Sequence, residues 1–156
     1  MDIPLVFPAL APIYAAAIPM AEALLRAVVG IAVVMHGLRM TFGLFPDTGI
    51  PLRNVVMLAT QLDRDGYRPG WLWARVISLT QLIGGPLLIA GLLTRVVAVP
   101  IVIFLALATY DRRRNGYFWN VQGYEYTLLW GIATLYFLAR GGGLYSLDRL
   151  LLGFEF

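Results

Sequence analysis

The chain has no cysteine and no lysine, one histidine, and few charges of either sign. Without cysteine there is no disulfide framework, no thiolate metal site and no thiol–disulfide exchange within the chain. A single histidine, His36, excludes a bis-histidine haem or a multi-histidine metal centre built from one copy. All basic residues are arginines, scattered or near the ends of apolar runs, and the formal charge is only +3. No motif supports a nucleic-acid partner. Charged residues make up 13% of the chain, against roughly 25% in ordinary globular proteins.

Hydrophobicity takes the place of charge. Of the 156 residues, 60% are hydrophobic, and the mean hydropathy is +0.75. This composition points to an all-α, multi-pass membrane protein. Spanning a bilayer takes roughly 20 apolar residues. Four runs approach that length: Glu22–Phe45, Trp71–Leu93, Val96–Tyr110 and Gly123–Ala139. The last is short and needs a thinned bilayer or snorkelled ends. The expected fold over residues 22–156 is a four-transmembrane-helix bundle. An amphipathic helix at Pro51–Leu62 and an interfacial tail opening at Ser146 complete it. Residues 1–21 are apolar but contain Pro4, Pro8, Pro12 and Pro19. Proline removes a donor and clashes inside a helix. An extended or broken segment is therefore expected there, on the membrane surface or on a partner subunit. It lacks the basic n-region of a signal peptide.

Thr94-Arg95 is too short a connection for anything but an antiparallel pair of spans. Gly84-Gly85-Pro86 interrupts the second span, where close helix packing is favoured over a kink. Arg95, Arg140 and Arg149 fall on the side of the termini, whereas Arg53, Arg64, Arg68 and Arg112–Arg114 fall on the other. The positive-inside rule then puts the two long loops in the cytoplasm and the termini outside. Arg112-Arg113-Arg114 reads as a topogenic or lipid-headgroup cluster.

Ionisable residues at membrane depth are costly, and they face a bundle interior, pair, or mark a site. His36 and Arg39 are three residues apart and share a helix face, with Arg26 nearly three turns earlier. The alternative is that both arginines snorkel to opposite interfaces and His36 is an interior hydrogen-bonder. Glu125 opens the fourth run at the same end as Arg39, so pairing with His36 or Arg39 is geometrically possible. Such a pair could be functional or could lock two helices. Gln81 lies deep in the second span, where helix association is the commoner use of an amide. Trp119 and Tyr124 belong to an aromatic, amide-rich loop. It serves either as an interfacial anchor or as a lid over a flat ligand.

Taken in order, several groups of residues resemble the DoxX family of membrane proteins. They are Arg26-x3-Gly30, His36-Gly37-x-Arg39, Gln81-x2-Gly84-Gly85-x2-Leu88-x2-Gly91-Leu92-x-Thr94-Arg95, Gly123-x-Glu125, Gly141–Gly143 and Ser146-Leu147-Asp148. Two positions depart from the family pattern: lysine is frequent where Arg39 stands, and glutamate where Gln81 stands. Arg39 keeps the charge without easy proton exchange, and Gln81 removes a carboxylate. The family is similar to membrane subunits of thiosulfate:quinone oxidoreductase and to membrane partners in oxidative-stress complexes. The resemblance implies a quinone or isoprenoid-like lipid ligand and a redox setting in a bacterial cytoplasmic membrane. The expected function is an accessory or scaffold subunit of a redox complex, with other subunits and the lipid membrane as partners. It would have no intrinsic cofactor and could bind a quinone. His36, Arg39 and Glu125 would line the polar end of the pocket, Arg26 and Gln81 would lie nearby, and Trp119 and Tyr124 would offer ring contacts. The rivals are a catalytic membrane component passing electrons from a sulfur compound to quinone, and a small-molecule or lipid transporter.

Overall fold

The structure is a computed structural model that describes residues 7–46, 49 and 52–153. Expectations for Met1–Val6 and for Pro51 lie outside these residues. Five helices account for most of the chain: α1 (Ala11–Phe42), α2 (Val55–Arg64), α3 (Gly70–Ala90), α4 (Thr94–Arg112) and α5 (Glu125–Arg140). Short helical turns cover Pro8–Leu10, Arg113–Asn115, Trp119–Val121 and Asp148–Leu152.

The expected broken segment is corrected over residues 11–21, which are the start of α1, a continuous helix of 32 residues, about 48 Å. Pro12 sits in the first turn, where an N–H has no intrahelical partner to lose. Pro19 lies inside the helix among alanines, and membrane helices tolerate such interior prolines. Residues 11–21 are exposed except Pro19, which is half-buried. They carry no charge and run about 16 Å beyond the point where α5 ends beside Glu22.

Among the described residues, three helices are long and apolar enough to cross a membrane: Pro8–Phe42, Gly70–Ala90 and Thr94–Asn115. The chain is therefore a multi-pass, all-helical membrane protein. α5 has only 16 residues, about 24 Å, and falls short of that length.

α1 packs on α3, α3 on α4, and α4 on α5, with a thinner α1–α5 contact closing the bundle; α2 lies against α3. The core joins Val29, Val33, Leu88, Val97, Ile101, Leu105 and Phe137. The α1–α3 seam depends on glycine. A Cβ on Gly30 would lie 2.8 Å from the Gly85 carbonyl oxygen, and one on Gly85 would lie 2.9 Å from that of Gly30. The Gly84-Gly85 pair is thus a packing device, and α3 runs unbroken through Pro86. α2 begins four residues later than expected and is capped by Asn54, whose side chain accepts from Met57 N at 2.9 Å. Asp63 then ties α2 to the start of α3 by accepting from Gly70 N at 2.7 Å.

The antiparallel arrangement gives the bundle two ends. The starts of α1 and α4, the ends of α3 and α5, and residues 141–153 form the tail end. The ends of α1 and α4, the starts of α3 and α5, and α2 form the arginine end.

Candidate functional site

The polar residues singled out by sequence do not form one pocket. They divide between the two ends, with an uncharged pair between them.

At the tail end Arg26 is 2% exposed. Its guanidinium donates to the carbonyls of Gly142 and Tyr145, the latter at 2.5 Å. The expectation that Arg26 neighbours the His36 pocket is corrected. Ten residues of helix put it about 15 Å away along α1, where it holds the C-terminal segment. Asp148, fully buried, faces the same cluster. Its two carboxylate oxygens accept from Leu93 N at 2.5 Å and Thr94 N at 2.9 Å, and its own N–H donates to Gly91 O at 2.9 Å. α4 has no capping residue of its own, since Leu92 and Leu93 precede it. A carboxylate from 54 residues away supplies the cap and complements the positive pole of the helix. It also fixes Leu93, which adopts a left-handed φ of 52°. Gly91, at φ 68°, leaves no room for a side chain: a Cβ there would lie 2.7 Å from both Arg26 Cζ and Ser146 Cβ. Glu22 completes the cluster, accepting from Tyr136 Oη at 2.5 Å and pairing with Arg140 Nε at 3.2 Å.

At the arginine end Arg39 is 3% exposed and donates to the Leu52 carbonyl. His36 is exposed on the flank of α1, so the shared face separates into a buried arginine and an outward imidazole. Glu125 is not paired with either. Its Oε2 accepts from Trp119 N at 3.0 Å and shapes its own loop. That loop folds on itself: Tyr124 N donates to Gly116 O at 3.2 Å and Glu125 N to Tyr117 O at 3.0 Å. The Tyr124 ring meets Tyr117 edge-on at 5.3 Å, and Trp119 stacks on Tyr126 at 6.1 Å. Trp119 remains exposed, as an interfacial aromatic would.

Between the ends, Gln81 and Ser78 lie about one turn apart on α3, 4% and 5% exposed. The Gln81 Oε1 and Ser78 Oγ atoms are buried without a hydrogen-bond partner among the described residues. Gln81 packs against Gly37, whose Cβ would lie 3.0 Å from that of Gln81, so it stands level with His36. Gln81 Oε1 can take only a donor, such as a hydroxyl, whereas Ser78 Oγ can take a donor or an acceptor. Among the described residues, no group of three or more carboxylate or imidazole side chains is placed to hold a metal ion.

Sequence reasoning missed the tail-end cluster, whose partners lie 54 to 119 residues apart. One signal was available: the turn before α4 offers no capping side chain, and Asp148 follows a glycine run at a depth where a carboxylate needs a partner.

A family model described as DoxX matches residues 21–112. The match takes in α1 from Ala21, α2, α3 and α4, and leaves α5 and the tail outside it. No curated protein and no solved structure matches the chain. With more than half of its length matched in this way, the chain belongs to the DoxX family.

Proposed function

We propose that the protein is an integral accessory subunit of a redox or electron-transfer assembly in a bacterial cytoplasmic membrane. It holds partner subunits and lines a pocket for a quinone or another isoprenoid-like lipid. In this reading α5 is the fourth span, accommodated by local thinning of the bilayer. Both termini then share one side, and the arginine bias puts that side outside the cytoplasm.

The observation that carries the scaffold reading is the exposed first part of α1. A helix that is apolar all round is ordinarily buried in protein or lipid. Ile13, Tyr14, Ile18 and Met20 are open on a stretch that none of the other described residues covers. An interfacial helix would need a polar face, which this stretch lacks. The ligand half of the proposal rests on Gln81 Oε1, which suits a donating hydroxyl such as that of a quinol, and on Ser78 Oγ, which suits a hydroxyl or a carbonyl at membrane depth.

Purification from the native membrane in mild detergent, with identification of co-purifying subunits and extraction of bound quinone, tests both halves. A redox subunit and a quinone should accompany the protein. Gln81→Leu should release the quinone and keep the partners, with unchanged or slightly raised stability because an unpaired buried acceptor is removed. Isolation as a lone species with neither partner nor quinone would contradict the proposal.

A further inference from the structure

The tail end carries its own charged level. Glu22 pairs with Arg140 at 3.2 Å, and Arg95 donates to Ala139 O at 3.2 Å. Arg95, Arg140 and Arg149 are exposed there, so this level belongs among lipid headgroups. From Glu22 to Arg39, at the arginine end, α1 rises about 26 Å. That length already takes up most of a hydrocarbon core about 30 Å thick. Residues 11–21 continue α1 about 16 Å past Glu22 without a charge. The headgroup layer adds only about 5–8 Å on each side. Tilting the bundle tilts the charged level with it, so lipid does not cover the outer part of this stretch.

The stretch also has a direction. Ile13, Met20, Leu24, Ile31, Met35 and Phe42 are all exposed and lie within about 60° of one another around α1. They occupy the side of α1 turned away from the buried Val29 and Val33. Ala16 and Ala17 flank Ile13 and Met20, and their small side chains let a second backbone come close.

We propose that residues 11–21 pair with the same stretch of a second copy, making the protein a parallel two-fold dimer joined above the membrane on the tail side. Copies in one membrane share one orientation, so the stretches above their Glu22 levels stand at the same height. A two-fold contact puts each residue near its own counterpart. A charge there would face its like, and this stretch has none. The exposed stripe runs on down α1, so the two helices stay side by side into the bilayer. The pairing goes beyond the scaffold reading. One neighbour covers one side of a helix that is apolar all round, and the rest stays open to a different subunit.

The absence of cysteine lets single thiols report the contact. Ile13→Cys, Met20→Cys and Ala15→Cys are each made in the full chain and oxidised in membranes at low protein density. Ala15 lies on about the opposite side of the helix. The thiols at positions 13 and 20 should form disulfide dimers about fivefold faster or more, because a disulfide needs its two Cα atoms close together. Sedimentation equilibrium in neutral detergent should give a dimer. Met20→Glu should raise its dissociation constant about tenfold or more, since like charges then meet across the axis. Its unfolding midpoint should stay near wild type, because Met20 is exposed and outside the core. Equal cross-linking at all three positions, the mark of random collision in lipid, would overturn the proposal. So would a monomer at every concentration; a redox subunit co-purifying with such a monomer would leave the scaffold reading standing and the pairing refuted.

Discussion

The two ends of the bundle are built from the same residue types and use them in opposite ways. At the tail end the chain supplies its own counter-charges. Arg26 faces Asp148 and two carbonyls, Glu22 takes Tyr136 and Arg140, and Asp148 caps α4. At the arginine end Asp63, Asp65 and Glu125 are spent on backbone and amide donors, and the guanidinium groups of Arg53 and Arg112 make no hydrogen bond or ion pair among the described residues. In a chain with so few charges, one end is a clasp and the other leaves Arg53 and Arg112 open. The contrast separates an end that carries stability from one that does not.

The largest effect is expected at the clasp. Arg26→Met leaves Asp148 buried without the guanidinium that faces it and removes the donors to Gly142 and Tyr145, at a cost of about 3–5 kcal/mol. Thermal unfolding in detergent reads the loss, and earlier proteolysis of the C-terminal segment locates it. If Arg112→Gln destabilised as much, the distinction between the ends would fail. Gly85→Val should come next, at about 1–3 kcal/mol, because its side chain meets the Gly30 carbonyl and Val34 across the seam. A fall in unfolding midpoint with the tail-end segment still protected from protease is expected. The smallest effect is expected from Glu125→Gln. The amide oxygen still accepts from Trp119 N, so about 0.5–1 kcal/mol is lost with the charge. The readout is an altered emission spectrum of Trp119 in a variant whose other tryptophans are replaced by phenylalanine.

The sequence showed most of the fold through periodicity and apolar length: the positions of α3, α4 and α5, the amphipathic α2, and the glycine-mediated packing at Gly84-Gly85. It misread the start of α1, because prolines at positions 12 and 19 count as breakers locally, while the first turn and an apolar surrounding tolerate them. The candidate site was legible only in its parts. Helical spacing joined His36, Arg39 and Arg26 along one helix, but spacing carries no information about which distant loop covers each residue. Leu52 covers Arg39, and Gly142 with Tyr145 covers Arg26. Glu125 was placed at the correct end, yet its backbone partner, Trp119, lies six residues away and competes successfully with any cation.

The contrast between the ends is tested most directly by one set of unfolding midpoints. Wild type, Arg26→Met and Arg112→Gln are each melted in neutral detergent. Arg26→Met should melt well below wild type, and Arg112→Gln near it. Equal midpoints for the two variants, or a stable Arg26→Met beside a weakened Arg112→Gln, would contradict the contrast between the ends.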